Sequence, residues 1–275
     1  MSQYICVDIG GTSIKHGVLD ENAIIKECNQ TKTEAWLGGA AVLDKVKTIG
    51  KQYKEQYENI EGICISTAGM VDPEEGKIVF AGELMPGYTG TCIKKELEKA
   101  LEMPCEVEND VNCAGLAEYV SGSAKESHIM FCATVGTGIG GCAIVNGRVF
   151  HGASNSACEV GYIPMGDSDF QTLGASSILV RKVAEKKIEP LDMWDGKKIF
   201  ALAEKGDKVC ISAIKEMCDV LGKGLATICY VLNPDTIVLG GGIMVQKKIL
   251  ENEIRDSLNR YLRPILAEHL QVCFA

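Results

Sequence analysis

The sequence predicts an α/β protein built from two related halves. Three observations predict it: strand-like and helix-like runs alternate along the chain, two segments 126 positions apart match, and each carries a glycine-rich turn at the same place. In order, "QYICVDI" reads as a buried strand, and helical periodicity covers roughly 38 to 58. "GICIST" is again strand-like, with a second helical pattern over roughly 92 to 103 and a third over 111 to 122. Strand signals return between 128 and 150. A long helical stretch from 207 to 231 then leads into the buried strand "TIVLGGG". No linker or low-complexity segment divides the chain, so the boundary is expected inside continuous structure, giving an N-terminal lobe of 1–118 and a C-terminal lobe of 119–275.

The internal match lays "ICVDIGGTSIKHGVLDENAII" over "FCATVGTGIGGCAIVNGRVFH" without gaps, placing Cys6 on Cys132 and Gly10 on Gly136. Both segments run strand, glycine turn, strand. The second closes on Asn146-Gly147, the pair best suited to a type I′ hairpin turn.

Composition narrows the class. The chain has 275 residues with 46% hydrophobic and 24% charged side chains, near the average of soluble globular proteins. It lacks the run of about 18 apolar residues that a membrane helix needs. Its 28 Lys+Arg against 37 Asp+Glu leave a charge of −9, the wrong sign for neutralising nucleic-acid phosphates. The opening "MSQYICVDIGGT" lacks the basic and apolar regions of a secretory signal, so the expected compartment is the cytoplasm. Thirteen Cys without a C-x-x-C pair are expected as reduced thiols, with Cys6, Cys64 and Cys229 serving as small buried hydrophobes.

"DIGGTSIK" and "GTGIGG" offer backbone N–H groups and Thr hydroxyls with little Cβ bulk, which is what a loop wrapped around phosphate requires. Each also fits a tight hairpin turn without a ligand. Gly136, Gly138 and Gly141 satisfy G-x-G-x-x-G, but "CAIVNGRVF" continues as strand, turn and strand, whereas a Rossmann unit needs a helix there. No G-x-x-x-x-G-K-[ST] occurs. Two phosphate-gripping hairpin turns in a duplicated α/β chain point to an ATP site of the actin and hexokinase type.

Four ordered segments carry a more specific likeness: "DIGGTSIK", "VENDVNCAGLAE", "TVGTGIGGCAIVNGRVFHG" and "IVLGGGI". Through them the chain resembles the ROK family of sugar kinases and regulators over nearly its whole length. Regulators of that family carry a helix-turn-helix before the first glycine loop; here the loop strand starts near Tyr4, as in the enzymes. The resemblance implies a duplicated actin-like ATPase fold (ribonuclease H-like, hexokinase-type) with two lobes around a cleft. It also implies transfer of the γ-phosphate of ATP to a sugar hydroxyl, O6 of a hexose, amino-hexose or β-glucoside, in a homodimer.

The residue roles that follow are what the resemblance implies. Asp110 accepts the proton of the attacking hydroxyl, while Gly69, Asn109, Glu159 and Tyr162 join it around the sugar. Asp8 positions Mg²⁺ through water. Gly10, Gly11, Thr12 and Lys15 on one side and Gly136, Thr137, Gly138, Gly240, Gly241 and Gly242 on the other hold the nucleotide. The residues themselves leave alternatives: Asp110 equally fits an N-cap for 111 to 122, Asp8 a strand-end turn, and Tyr162 a core position.

Three departures from the family stand out. Tyr162 replaces the His of an E-x-G-H motif, and "GDSDFQTLGASSILVR" replaces a cysteine-rich zinc segment, so no zinc site is expected; the missing zinc segment resembles the zinc-free β-glucoside kinases and N-acetylmannosamine kinases, and the Tyr resembles the former, since the latter tend to keep the His. In "FAGELMPGYTG", Gly82-Glu83 stand where an Asn commonly precedes the Pro-Gly-aromatic turn. The chain also stops at "LQVCFA", where relatives usually continue into a final helix, which suggests a shortened end. Glucokinase or N-acetylmannosamine kinase specificity is the nearest alternative. An actin-like ATPase or a sugar-sensing regulator without kinase activity is the more distant one.

Overall fold

The computed structural model describes residues 2–275, which divide into two compact units: residues up to Cys113 with Gly152–Ser156, and Ala114–His151 with Ala157–Ala275. The division falls inside one helix, between Cys113 and Ala114.

The first unit holds β1 (Gln3–Ile9), β2 (Ser13–Asp20), β3 (Ile25–Lys32), α1 (Gly39–Gln56), β4 (Ile60–Thr67), a small hairpin of β5 (Met70–Asp72) and β6 (Lys77–Phe80), α2 (Ile93–Leu101), β7 (Cys105–Asn109) and the start of α3 (Asp110–Val120). Its sheet order is β3-β2-β1-β4-β7, with β1, β4 and β7 parallel and β2 and β3 antiparallel. Ile5, Val7, Ile9, Ile63, Ile65 and Val107 alternate onto one buried face. Against it lie the apolar stripes of α1 (Val42, Val46, Ile49, Tyr53) and α2 (Ile93, Leu97, Leu101), spaced at helical period. The opposite face is polar and carries Asp8, Ser66 and Glu108 in register.

That polar face corrects one expectation. Cys6 and Cys64 are register partners on it, with Cys64 exposed, and only Cys229 of the three is buried. The Cys6 thiol hydrogen-bonds Cys64, which lowers Cys64 to about 7 and raises Cys6.

The second unit contains the rest of α3, β8 (Ile129–Val135), β9 (Ile139–Val145), β10 (Arg148–Val149), a small ribbon of β11 (Pro164–Met165) and β12 (Ser168–Asp169), α4 (Phe170–Gly174), α5 (Ser176–Lys187), α6 (Gly196–Glu204), α7 (Lys208–Leu232), β13 (Thr236–Gly240), α8 (Lys247–Tyr261), α9 (Pro264–Ala267) and β14 (Gln271–Phe274). Its sheet order is β10-β9-β8-β13-β14, and strand for strand its directions repeat those of the first sheet. β13 is buried at every residue, as a central parallel strand should be. Phe131, Ala133, Ile237 and Leu239 pack with Ile214, Met217, Leu221 and Leu225 of α7 in one core. Asn146 and Gly147 both adopt positive φ (49° and 78°) between β9 and β10, as a type I′ turn requires.

The repeat is therefore structural, but the ungapped match needs one correction. Ile9 pairs with Ile14 across residues 10–13, whereas Val135 pairs with Ile139 across residues 136–138. The second turn is one residue tighter, so the match holds at an offset of 126 on the first strand of each hairpin and slips to 125 on the next. Cys132 still answers to Cys6, but Cys142 rather than Ala143 answers to Gly17.

Candidate active site

In the first unit the three parallel strands end together, Ile9 beside Thr67 and Thr67 beside Asn109. The carboxyl edge of a parallel sheet is where ligands commonly sit in α/β folds. Gly10–Thr12, Gly69 and Asp110 all start from that edge. Gly10 donates its N–H to the Ser13 carbonyl at 3.1 Å, while the space where a Gly11 side chain would lie is open. Behind the loop, Thr33 donates its N–H to Thr12 O (3.0 Å) and its hydroxyl to Gly10 O (2.6 Å).

Asp8 points from β1 onto the polar face. Its Oδ1 accepts the Ser66 hydroxyl at 2.8 Å. Lys15, directly opposite in the ladder, brings Nζ to 3.8 Å from Oδ2. This pair is partly exposed, with side-chain accessibilities of 42% for Asp8 and 63% for Lys15, so its value lies in arrangement more than in stability.

Asn109 does the capping that Asp110 was an open candidate for. Helix α3 begins at Asp110 itself, and Asn109 Oδ1 accepts the N–H groups of Val111 (2.8 Å) and Asn112 (3.1 Å). Its Nδ2 donates to Gly69 O (2.9 Å) and to Asp110 Oδ1 (3.0 Å). One amide thus starts the helix, tethers the Gly69 turn and orients the neighbouring carboxylate. Gly69 can serve because its φ of 104° and the Phe80 carbonyl, 2.7 Å from where a Cβ would stand, exclude any larger residue. Replacing Asn109 with Ala is expected to cost about 1 kcal/mol of stability, measurable in urea unfolding; an unchanged midpoint would remove the capping role.

Asp110 Oδ1 also accepts the Val111 N–H at 2.9 Å. The protein packed around the carboxyl strips part of its hydration, and the charge of Asp8 adds to this, so its pKa stands above the ordinary 3.8 against the opposing pull of the N–H and amide donors.

In the second unit, Gly136 closes the turn by donating its N–H to Gly138 O at 2.9 Å. The first turn of α5 is bound to this loop: Ser176 donates its N–H (3.0 Å) and hydroxyl (2.6 Å) to Gly136 O, and Ser177 donates its hydroxyl to Thr137 O (2.6 Å). The positive end of a helix thereby lies beside a glycine turn, an arrangement that suits an anion. A cavity of about 630 Å³ opens there. Gly136, Thr137, Ser176, Ser177, Asp195 and Lys197 give it polar walls; Val180, Phe200 and Ile243 give it apolar ones. That volume and division suit a nucleotide, with phosphates at the loop and base among the apolar side chains.

Gly240 is the last residue of β13, Gly242 lines the cavity, and Gly241 between them turns the chain at φ 99°. Glu159 precedes a short 3-10 turn, Val160–Tyr162, that packs on β9, where Gly141 lets the Cys158 carbonyl approach. The Gln171 side chain lies against both Gly138 and Gly161, joining this segment to the glycine turn. Tyr162 is 59% exposed, so the core alternative for it fails.

The first unit gathers Asp8, Gly10, Gly11, Thr12, Lys15, Gly69, Asn109 and Asp110 at one sheet edge; the second holds Gly136, Thr137, Gly138, Gly240, Gly241 and Gly242, of which Gly136, Thr137 and Gly242 line the cavity, and Glu159 and Tyr162, which do not. Sequence reasoning passed over Ser66, Ser176, Ser177 and Lys197. "GASSILV" and "DGKKIF" carried a signal, since each places small or acidic residues at a helix start.

Comparison with known proteins agrees with this geometry. The sequence profile of the ROK family matches residues 4–274. A protein of uncharacterised function from Clostridium perfringens is 44% identical across all of this chain and 93% of its own length. The β-glucoside kinase of Klebsiella pneumoniae is 31% identical over 86% of this chain and 80% of that enzyme. Among solved structures, a ROK family glucokinase from Streptomyces griseus in complex with glucose and AMPPNP superposes with a TM-score of 0.84 at 27% identity, covering 100% of this chain and 94% of that one. The duplicated actin-like fold expected from the sequence is the fold these kinases share.

Proposed function

The chain belongs to the ROK family and is a sugar kinase, and from that premise we propose that it transfers the γ-phosphate of ATP to a hexose or hexoside hydroxyl with Asp110 as general base. The observation that carries the proposal is Asp110 itself: a carboxylate at a helix start, fixed through one oxygen by Asn109 and Val111, with its pKa raised by lost hydration and by Asp8.

Phosphoryl transfer through a loose transition state asks mainly for alignment and for a base ready to take a proton late. The acceptor hydroxyl gives its proton to Asp110 as its oxygen forms the bond to phosphorus and the bond from phosphorus to ADP breaks. Gly10–Thr12 and Gly136–Thr137 offer N–H and hydroxyl groups to phosphate oxygens, and the cavity beside Ser176 and Lys197 takes the nucleoside end.

Asp8 fits Mg²⁺: it is an anchored carboxylate with partial exposure, a hard oxygen donor. Among the described residues no group of three or more His, Cys, Asp or Glu side chains is arranged to hold a metal. A Mg²⁺ here would draw its other ligands from water and phosphate oxygens, as that ion commonly does, and would offset charge on the leaving ADP.

ADP release measured with Mg-ATP against glucose, N-acetylmannosamine, an aryl β-glucoside and a no-sugar control tests the reading. Sugar-dependent release is expected; none with any sugar, while ATP still binds, would overturn it. The pH profile adds a finer check. Protonation removes the base, and the pKa of Asp110 is raised, so the acid limb of kcat/KM is expected above the ordinary carboxylate value of 3.8. A limb at or below that value would show that the carboxyl is unperturbed.

A further inference from the structure

Two loops of the first unit expose large apolar side chains on the same edge as the candidate acceptor residues. Trp36 is 70% and Leu37 56% exposed between β3 and α1; Leu84 is 85% and Phe80 53% exposed around the turn after β6. Folding could have turned them inward, as it does their neighbours Ala35, Met85 and Tyr88. Large apolar side chains left in water on loops that border a polar site are candidates to meet a ligand or partner.

The two loops are joined to each other and to the site. Gly39 donates its N–H to Pro86 O at 2.8 Å, and the missing Cβ of Gly39 lets the Tyr88 backbone approach to 2.7 Å of that position. At its other end the Trp36 loop starts from Thr33, which is bonded to Gly10 and Thr12. The Leu84 loop starts at Phe80, whose carbonyl lies over Gly69, and Gly69 is held by Asn109 beside Asp110. Buried Tyr88 fixes the arrangement from below through its hydroxyl contact with Thr67 at 2.7 Å, at the end of β4. The apolar rim is thus continuous, through backbone contacts, with both the first glycine turn and the acceptor residues.

We propose that Trp36 and Leu84 form an apolar subsite that holds the aryl aglycone of a glycoside while its sugar ring lies at Gly69, Asn109 and Asp110. This rests on the sugar-kinase reading for the ring and extends it to the substrate class. The flat face of an indole and a branched alkyl group match an aromatic ring through stacking and buried apolar area. Leu84 also falls in the segment where Gly82-Glu83 depart from the family pattern.

The full chain supplies its own probe, because it has only two Trp and Trp194 is buried at 7% exposure. Titrating phenyl β-glucoside without nucleotide should shift Trp36 emission to the blue, glucose should not, and the shift should vanish in Trp36→Phe. In steady-state assays Trp36→Ala and Leu84→Ala should each lower kcat/KM for the aryl glucoside about tenfold, leave that for glucose within about twofold, and Trp36→Phe should restore much of the aryl value. Equal losses on both substrates, or an emission unmoved by the glucoside, would overturn the subsite even if glucose is phosphorylated. An emission shift confined to the glucoside, with no turnover of any sugar, would keep the subsite and overturn the kinase reading alone.

Discussion

Replacing Asp110 by Asn is expected to lower kcat by about 10²- to 10⁴-fold, the usual contribution of a positioned general base, while ATP affinity stays unchanged. The amide keeps an oxygen for the Val111 N–H, so the start of α3 survives and the loss reports on proton acceptance rather than on folding. Stability should move the other way. A carboxyl whose folded pKa is raised holds its proton more tightly when folded than when unfolded; stability falls as pH rises through that window, and the ionised form is a net cost at neutral pH. Asp110→Asn removes that cost, so its melting temperature at pH 7 should equal or exceed that of the parent, and the difference should shrink in acid. Single-turnover kinetics, ATP titration and melting curves at two pH values check the three parts. Near-normal turnover would exclude Asp110 as base, and a large drop in melting temperature would show a structural role instead.

Gly241→Ala should produce the largest loss of stability of any single methyl addition near the cavity lined by Gly136 and Gly242. Gly241 has φ 99° and ψ 157°, a region only glycine enters readily. A Cβ there would also stand 2.3 Å from the Val135 carbonyl oxygen and 2.8 Å from the Val135 nitrogen. Both are backbone atoms at the end of β8, held in the ladder and followed at once by Gly136, so neither can swing aside. The backbone strain alone is worth about 1–3 kcal/mol, and the clash adds to it. Relief requires moving β13 away from β8 or shifting the glycine turn, and each alters the cavity lined by Gly136 and Gly242. Expected together are a lowered unfolding midpoint and weaker ATP binding in calorimetry. Gly242→Ala is the control: no heavy atom lies near its Cβ position, so its fold should hold.

The elements whose residues repeat at their own period were readable from sequence. α1, α2 and α7 bury regular stripes, β13 is apolar throughout, and Asn146-Gly147 specified its turn, because each signal is local. What was not readable depends on which strands lie side by side. Asn109 and Asp110 are both good capping residues, and the end of β7 decides between them by placing the Asn109 oxygen over the first turn of α3. Ser66 is unremarkable until β4 pairs with β1 and sets its hydroxyl against Asp8. Cys64 shares an apolar-looking run with Ile63 and Ile65, yet alternation turns it to the polar face. The Trp36 and Leu84 loops lie far apart in sequence and meet only through Gly39 and Pro86. Of the candidate site, the glycine turns and Asp8 were visible as motifs, whereas the network that orients Asp110 is a property of the assembled sheet edge.

The one-residue difference between the two glycine turns records how the halves have aged. A duplication starts from identical copies, so a residue was gained or lost at the tip of one hairpin, where no pairing across the strands depends on it, and the order and directions of all five strands were kept. Ancestry is therefore preserved in the strand ladders and erased first at the tips. Any reconstruction of the ancestral half should align the two copies by strand partners, with a gap at the turn, and should treat each tip as having its own history.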